Sequence, residues 1–273
     1  MAAYLSICAI YRNEARYLRE WVEFHRLMGV ERFFLYDNGS DDDHLAALAP
    51  YIEEGAVSLQ EWPFFPGQIT AYEDCIRRRR EESRWIAFMD VDEFLFSPTG
   101  APVAAVLEDY ERWPGVGVNW AMFGTSGHRT PPPGLVIENY LWRSDEYHYN
   151  RPIKSIVDAR RIAHFCTPHF FTYRDGWAVD ERFERLEPRP YTDQVSFSRL
   201  RVNHYYTRSE QEYRAKNAVP RADTGRALEM PEGRLVRSLD RLAQVKDETV
   251  LVHAPALRRA LAQVEARAGT APV

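Results

Sequence analysis

Trp85-Ile86-Ala87-Phe88-Met89-Asp90-Val91-Asp92-Glu93 is the stretch that decides the fold of this 273-residue chain. Its five consecutive apolar residues predict a strand that is buried on both faces of a sheet. The strand ends directly in acidic residues, and open α/β sheets bind their ligands outside the carboxyl ends of their strands. The stretch therefore predicts an α/β sheet with a functional site at the end of this strand.

Asp90 and Asp92 are two residues apart, so in an extended chain their carboxylates point the same way. Two carboxylates that close repel each other unless a cation lies between them. Oxygen ligands suit Mg²⁺ or Mn²⁺, which in proteins often bridge carboxylates and substrate phosphates. The spacing therefore predicts a Mg²⁺ or Mn²⁺ site at Asp90 and Asp92.

The first hundred residues, up to and including this stretch, alternate between strand and helix patterns, which indicates βαβ units. Three short β-rich runs predict strands, at residues 4–10, 33–36 and 56–59. One helix is predicted to open at Asn13 and stop at Gly29, and another to span residues 67–82. The pattern predicts an α/β protein with a Rossmann-like mixed sheet flanked by helices.

Polar residues follow three of the predicted strands, at residues 11–14, 37–40 and 90–93. Because the carboxyl ends of parallel strands meet at one edge of a sheet, we expect these groups to converge. Asp37 or Asn38 could hydrogen-bond a nucleobase or ribose there, although the same residues are typical of a turn that simply ends a strand.

The second half of the chain is predicted to hold short strands, long loops and a helical end. Strands are predicted at residues 116–120, 154–157 and 195–202. A helix begins near Ser209, and residues 235–268 form an Arg- and Glu-rich helical tail with a solvated face. We predict a main domain over residues 1–220 and a helical C-terminal extension over residues 221–273.

The composition argues against some functions. Acidic and basic residues are interspersed and the formal net charge is −5, unlike the basic face of a nucleic-acid-binding protein. Three cysteines without metal-type spacing indicate reduced thiols, and no apolar run reaches the ~20 residues of a membrane span. These features predict a soluble cytoplasmic protein. The four arginines of residues 77–80 suggest a phosphate patch or a peripheral contact with the inner face of a membrane, although on a helix they point in all directions.

Other side chains are candidates for the site, and their residue types alone leave their roles open. His204 follows a predicted strand and could complete a metal site, but four other histidines compete with it: His128, His148, His164 and His169. Lys154 offers a compact cation for a diphosphate. Gln68 and Tyr72 flank the start of a helix and could contact a base or ribose, with packing an equal alternative for Tyr72.

A series of motifs runs in order along the chain: Tyr11-Arg12-Asn13-Glu14, Glu20-Trp21-Val22-Glu23-Phe24-His25, Tyr36-Asp37-Asn38-Gly39-Ser40-Asp41, Tyr72-Glu73-Asp74-Cys75, residues 85–95, residues 123–128, Lys154-Ser155-Ile156-Val157 and Val202-Asn203-His204-Tyr205-Tyr206. Together they resemble glycosyltransferase family 92 and its bacterial relatives over residues 4–220. The resemblance implies a GT-A fold, a nucleoside-diphosphate-sugar donor (UDP-galactose by family habit) and inverting transfer to a glycan hydroxyl.

The resemblance also assigns residues. It implies a cation held by Asp90, Asp92 and His204. It places Tyr11, Arg12, Asn13, Asp37 and Asn38 around the nucleoside and Lys154 near the diphosphate; Gln68, Tyr72 and Asp90 complete the predicted donor contacts.

Inverting transfer needs a carboxylate opposite the leaving group to take the acceptor's proton. Asp90 and Asp92 hold the leaving group, so the candidates lie downstream: Asp180, Glu181, Asp145 and Glu146. The base of GT-A enzymes generally lies well after the acidic motif, which favours Asp180. Trp120, Phe123 and Ser126 are the predicted acceptor contacts, and Trp177 could also stack on a sugar ring.

Two other functions compete with this prediction. A metal-dependent nucleotidyltransferase or phosphohydrolase could use the same carboxylates, but it would need a further acidic pair or a Gly-rich phosphate loop near the N-terminus. A non-catalytic sugar-binding protein is disfavoured by the intact set of Asp90, Asp92 and His204. The oligomeric state is left open.

Overall fold

The computed structural model describes residues 2–167, 169–220, 225–226 and 231–269. Its strands are β1 Ala3–Tyr11, β2 Arg32–Asp37, β3 Val57–Glu61, β4 Ser83–Phe88, β5 Glu93–Phe96, β6 Gly115–Met122, β7 Trp142–Arg143, β8 Ile153–Val157, β9 Ile162–Thr167, β10 Phe170–Tyr173, β11 Val179–Asp180, β12 Arg201–His204 and β13 Val245–Lys246. Its α-helices are α1 Ala15–Leu27, α2 His44–Glu53, α3 Gln68–Arg79, α4 Val103–Leu107, α5 Val136–Asn139, α6 Tyr147–Asn150, α7 Glu210–Ala218, α8 Glu232–Arg241 and α9 Ala254–Gly269.

One mixed sheet organises the described chain. Its strand order is β3-β2-β1-β4-β8-β6-β12-β5, with β11 beside β6. The first four strands are parallel, β8 runs antiparallel to β4 and β6, and β12 runs parallel to β6 but antiparallel to β5. The predicted α/β fold, a mixed sheet flanked by helices, is confirmed.

Apolar residues cover both faces of the sheet. On one face α1 buries Trp21 and Phe24 in a large cluster that also includes Leu257 of α9. On the other face α3 buries Tyr72 and Cys75 against β1 and β4. Strands covered on both faces explain why residues 85–89 are apolar without alternation.

The first helix begins later than predicted. It starts at Ala15 because Asn13 has a left-handed φ of 57° and belongs to the preceding turn. Its end is confirmed near Gly29, whose φ is 90°. A Cβ on Gly29 would lie 2.6 Å from the Ala104 side chain, so both the backbone angle and the packing require glycine here.

Two predictions for the second half were wrong in extent. The strand expected over residues 195–202 is only β12, which begins at Arg201. The expected continuous helical tail is two helices, α8 and α9, separated by the short strand β13 and a 3-10 helix. Because β13 pairs with β7 and Leu257 is buried in the main core, this segment packs on the rest of the chain. The domain boundary at residue 220 stays a prediction.

The arginine run on α3 is largely paired within the chain. Arg77 and Arg78 both bind Asp74, and Arg79 binds Glu82 at 2.8 Å. A peripheral membrane contact therefore stays a prediction with little free charge behind it. Among the described residues, no helix is long and apolar enough to cross a membrane.

Candidate active site

The acidic motif forms the turn between β4 and β5, at the carboxyl ends of the parallel strands. Since β4 ends before Asp90, the alternation of an extended chain does not apply to the two carboxylates. Asp90 accepts hydrogen bonds of 2.8 Å from Gln68 Nε2 and from Lys154 Nζ. Asp92 accepts one of 2.5 Å from Lys216 Nζ. Two different ammonium groups thus neutralise the two carboxylates.

Strand pairing brings His204 to the motif. The antiparallel register of β12 and β5 sets His204 opposite Glu93. His204 Nε2 lies 3.4 Å from Asp92 Oδ1, while His204 Nδ1 faces Glu93 Oε1 at 3.8 Å. Neither Nδ1 nor Oε1 has a hydrogen-bond partner among the described residues. Burial lowers the pKa of His204, which favours the neutral imidazole that a metal ion binds.

Lys154 is buried between two acids. Its side chain is 1% exposed, and its Nζ lies 3.2 Å from Glu93 Oε2 as well as 2.8 Å from Asp90. Burial alone would lower the pKa of Lys154, but the charges of Asp90 and Glu93 outweigh burial and raise it. Burial also raises the pKa of Glu93, against the opposing charge of Lys154. Glu93 further accepts the backbone N–H of Asp90 at 2.8 Å, so it holds the motif's backbone in place.

Helix α7 delivers Lys216 from 124 residues further along the chain. The helix starts with a capping box in which Ser209 and Glu212 bind each other's backbone N–H groups. The Lys216 ammonium also lies 4.2 Å from the centre of the Tyr206 ring, and its side chain is 44% exposed. Burial would raise the pKa of Asp92, but the nearby charge of Lys216 and the contact with His204 outweigh burial and hold that pKa well below its usual value.

These groups line a cavity of about 400 Å³, which adjoins a second one of about 600 Å³ along Arg12, Glu14, Asn38, Asp92 and Lys216. We call the two together the donor cavity. The predicted residues that line it are Tyr11, Arg12, Asn13, Asn38, Gln68, Asp90, Asp92, Trp120, Lys154 and His204. The three polar strand ends therefore converge at one cavity, as the sequence predicts.

Several predicted nucleoside contacts build the cavity wall instead of facing it freely. Asn13 Oδ1 accepts the backbone N–H of Asp41 at 2.9 Å, although Asn13 also borders the larger part of the cavity. Asp37 does not line the cavity, and its Oδ1 accepts the backbone N–H of Ser40 at 2.9 Å. Asn38 lines it but donates from Nδ2 to the Trp62 and Phe64 carbonyls. These side chains stabilise the turns that form the wall of the cavity.

The prediction that Tyr72 contacts a base or ribose is wrong, and the alternative that it packs in the core is right. The ring is fully buried, and its hydroxyl donates to the Met89 carbonyl at 3.2 Å. It does not line the donor cavity. A hydroxyl that already holds the backbone just before Asp90 supports the acidic motif and is not available to a nucleoside.

The predicted acceptor contacts divide in the same way. Trp120 lines the cavity, with its ring 4.4 Å from that of His204 and 5.3 Å from that of His169. Phe123 is fully buried against Tyr205, so it is a core residue. Ser126 Oγ accepts the backbone N–H groups of Leu141 and Trp142 in a loop away from the cavity.

Asp180 lies at the wrong end of the sheet to act as the base. Its strand β11 pairs with the start of β6, with Asp180 opposite Gly117, whereas Met122 at the end of β6 lines the donor cavity. Trp120, which also lines the cavity, is three residues from Gly117, about 10 Å along the strand, and Met122 is five residues away, about 16 Å. Asp180 Oδ1 accepts the backbone N–H groups of Arg182 and Glu184, each at 2.9 Å, so its role is to hold a turn. The other candidates, Glu181, Asp145 and Glu146, do not line the cavity either.

The structure also shows which of the competing histidines lies in the site beside His204. His169 lines the cavity, and its Nδ1 is 2.9 Å from the Ile153 carbonyl. Since a carbonyl only accepts, Nδ1 carries the proton and Nε2 presents a lone pair. Burial and then the charge of Lys154 lower the pKa of His169 to about 4.

The structure adds a pair, Glu14 and Arg208, at the larger part of the cavity. Arg208 Nη1 donates to Glu14 Oε2 at 2.5 Å, and its guanidinium lies 3.7 Å from the centre of the Tyr17 ring. Both residues line the cavity. Glu14 belongs to the polar group after β1, a usable signal, but no local pattern points to Arg208.

Comparisons with known proteins fit this geometry. The family model described as Glycosyltransferase family 92 matches residues 3–222. The chain belongs to glycosyltransferase family 92. A family 92 protein of Oryza sativa subsp. japonica is 33% identical over 63% of this chain and 30% of its own length, and one of Ricinus communis is 33% identical over 63% and 32%. This member thus spans about 30% of the length of the curated relatives it matches.

Two further likenesses are more partial. A galactan beta-1,4-galactosyltransferase of Arabidopsis thaliana is 32% identical over 35% of this chain and 21% of its own length. The crystal structure of S. aureus TarS residues 1–349 aligns with a TM-score of 0.40 at 15% identity, over 57% of this chain and 47% of that one.

Proposed function

We propose that this protein is an inverting glycosyltransferase that moves a sugar from a UDP-sugar to a hydroxyl of a glycan, with a divalent cation in the site. The observation that carries the proposal is the donor cavity, where Asp92 and His204 lie side by side and two lysines stand next to the acidic motif. A cavity with carboxylate, imidazole and ammonium groups at the carboxyl ends of parallel strands suits a nucleoside diphosphate.

The residues present fit a cation in a limited way. Among the described residues, no group of three or more His, Cys, Asp or Glu side chains is placed to hold a metal ion. Asp92 Oδ1 and His204 Nε2, 3.4 Å apart, are close enough to be two ligands of one ion. Mg²⁺ and Mn²⁺ commonly take one or two protein ligands and complete their shell with phosphate oxygens and water. Asp90 is held by Gln68 and Lys154, so its role as a ligand stays a prediction.

The unpaired atoms behind His204 support this assignment. Ligand histidines usually present their second nitrogen to a carboxylate, which fixes the tautomer. Glu93 Oε1 stands at 3.8 Å from His204 Nδ1, and neither has another partner among the described residues. We therefore assign Glu93 as the residue that orients His204. A bound divalent cation would offset the charge that develops on the departing diphosphate.

The chain's own cations would share this task. Lys216 is half-exposed on α7 and can turn from Asp92 to a diphosphate oxygen without a backbone movement. Lys154 is buried and keeps Asp90 ionised and in place. His169 lies near these groups, since the Trp120 ring contacts both the His169 ring and that of His204, and the Nε2 of His169 is positioned to take the proton of an acceptor hydroxyl. We propose His169 for that role in place of Asp180.

Galactose is the proposed donor sugar. It is supported by the name of the relative from Arabidopsis thaliana, a galactan beta-1,4-galactosyltransferase, which matches only part of this chain. The acceptor is proposed only as far as its class, a glycan hydroxyl.

Calorimetric titration of UDP with and without Mn²⁺ tests the proposal. We expect UDP to bind more tightly when Mn²⁺ is present. Asp92→Asn and His204→Ala should each reduce that Mn²⁺-dependent gain in UDP affinity by about 100-fold or more, since loss of even the residues that orient metal ligands costs about 10–100-fold. The matched control is His148→Ala, whose ring is exposed outside the cavity. UDP binding that is absent, or that ignores Mn²⁺, would refute the metal-dependent function.

A further inference from the structure

A second cleft lies at the opposite end of β6 from the donor cavity. It has a volume of about 570 Å³, and we call it the distal cleft, defined by Arg112, Trp113, Trp177, Phe183 and Arg185. Trp113 comes two residues before β6 begins, and Met122 at the end of β6 lines the donor cavity. Trp120, which also lines the donor cavity, comes seven residues after Trp113, about 20 Å in extended chain, and the two sites share no lining residue among those described.

Aromatic rings form the walls of the distal cleft. Phe183 stacks on Trp113 with ring centres 5.3 Å apart and an angle of 22° between the planes. Trp177 is 46% exposed. Flat aromatic faces accept the C–H face of a pyranose ring, whose hydrogens carry partial positive charge toward the electron-rich ring. Phe183 and the Arg112 guanidinium both stack on Trp113, so the exposed Trp177 is the ring that suits a sugar.

The two arginines of the distal cleft are free to bind a ligand. The Arg112 guanidinium lies 3.8 Å from the centre of the Trp113 ring, and that of Arg185 lies 4.9 Å from the centre of Trp177. Neither side chain makes a hydrogen bond or ion pair with another described residue, and none of the described residues lining the cleft is acidic. Neighbouring arginines differ, since Arg161 binds Asp175 at 2.5 Å. Unpaired guanidinium groups stacked on rings are ready to bind a carboxylate in two-point fashion.

A strained backbone residue helps to form the distal cleft. Phe183 has a φ of 72°, which a bulky side chain rarely adopts. The surrounding turn enforces it, because Asp180 accepts two backbone N–H groups and the Phe183 N–H bonds the Asp180 carbonyl at 3.0 Å. Strain of this kind persists where the structure over-determines it, often at ligand sites. Here it presents the Phe183 ring to Trp113.

We propose that the distal cleft binds acidic saccharides, with a sugar ring against Trp177 and its carboxylate on Arg112 and Arg185. This binding site is additional to the donor cavity and involves no covalent step. A saccharide is favoured over a nucleic acid because two arginines in one cleft form only a small basic patch, on a chain of formal net charge −5.

Isothermal titration of the full chain with trigalacturonate, without UDP, tests the proposal. We expect saturable binding, no comparable binding of the neutral galactotriose, and little of inorganic phosphate alone. Trp177→Ala and Arg112→Ala should each weaken trigalacturonate binding about tenfold or more, as expected for loss of a charged hydrogen bond or a stacking ring. UDP affinity should be unchanged in both variants, which also shows that they are folded.

Trp142→Ala is the matched control, since Trp142 is 39% exposed but lies on β7 outside the cleft. It should leave trigalacturonate binding unaltered. The proposal is overturned if trigalacturonate does not bind, if galactotriose or phosphate binds as well, or if the cleft variants match the wild type. Should Trp177→Ala fail to fold, the double variant Arg112→Ala with Arg185→Ala, both exposed, decides. Because UDP is absent from the titration, failure of the donor site would not imitate any of these results.

Discussion

The donor cavity and the distal cleft sit at opposite ends of β6 and use charge in opposite ways. In the donor cavity the two lysines and Arg208 already have anions: Lys154 holds Asp90 and Glu93, Lys216 holds Asp92, and Arg208 holds Glu14. In the distal cleft Arg112 and Arg185 have no anionic partner among the described residues. A ligand that binds Lys154 or Lys216 in the donor cavity must therefore exchange existing ion pairs, whereas a ligand of the distal cleft meets cations that are already available.

The difference follows from burial. A cation that is 1% exposed, as Lys154 is, cannot remain unpaired in a low-dielectric interior. Exposed guanidinium groups over aromatic rings keep much of their hydration and need no counter-ion. Paired charges in the donor cavity are thus part of the fold, while those of the distal cleft can change with little effect on stability.

Lys154→Met should produce the largest effect. It would leave Asp90 beside Glu93 without their shared cation, and breaking a buried ion pair costs about 3–5 kcal/mol. Urea denaturation measures this loss. Arg185→Met is the matched control in the distal cleft, and we expect it to change the free energy of unfolding by no more than about 0.5 kcal/mol.

A double variant sharpens the same test. Adding Glu93→Gln to Lys154→Met removes one of the two stranded carboxylates, so part of the lost stability should return. If Lys154→Met and Arg185→Met destabilise equally, the contrast between paired and free charge is wrong.

The sequence predicts well what depends on local pattern. The βαβ alternation before residue 90 and the polar groups after β1, β2 and β4 are local signals, and their convergence at one cavity follows from parallel strands ending at one edge. The stop of α1 at Gly29 is also local, since it depends on one backbone angle.

Non-local pairing limits what could be predicted. The register of β12 with β5 sets His204, rather than another histidine, beside Asp92, and nothing in the residues around His204 encodes that register. Lys216 reaches Asp92 across 124 residues for the same reason. Asp180 was misplaced because its position after the acidic motif in the chain carries no information about which end of β6 it occupies.

Asp180→Asn tests whether Asp180 is the base of the donor cavity or holds a turn beside the distal cleft. If Asp180 were the base, the substitution would leave the free energy of unfolding unchanged and abolish sugar transfer. The structure instead predicts a loss of about 1–2 kcal/mol of stability, because a carboxylate that accepts two backbone N–H groups and binds Arg182 is weakened. UDP binding should be normal and trigalacturonate binding weaker, because the turn presents Phe183. Denaturation and the two titrations check this, and loss of UDP binding with normal stability would contradict it.

Lys216→Met should produce the smallest effect, and its value lies in two changes of opposite sign. Without UDP, Lys216 competes with a cation for Asp92, so the variant should bind Mn²⁺ alone a few-fold more tightly. With Mn²⁺ present, UDP should bind a few-fold less tightly, because the diphosphate loses one half-exposed ammonium partner. Calorimetry of Mn²⁺ and of UDP on the same variant measures both. If both affinities fall, Lys216 supports the site without competing for it, and the idea that ligands of the donor cavity exchange existing ion pairs loses its clearest case.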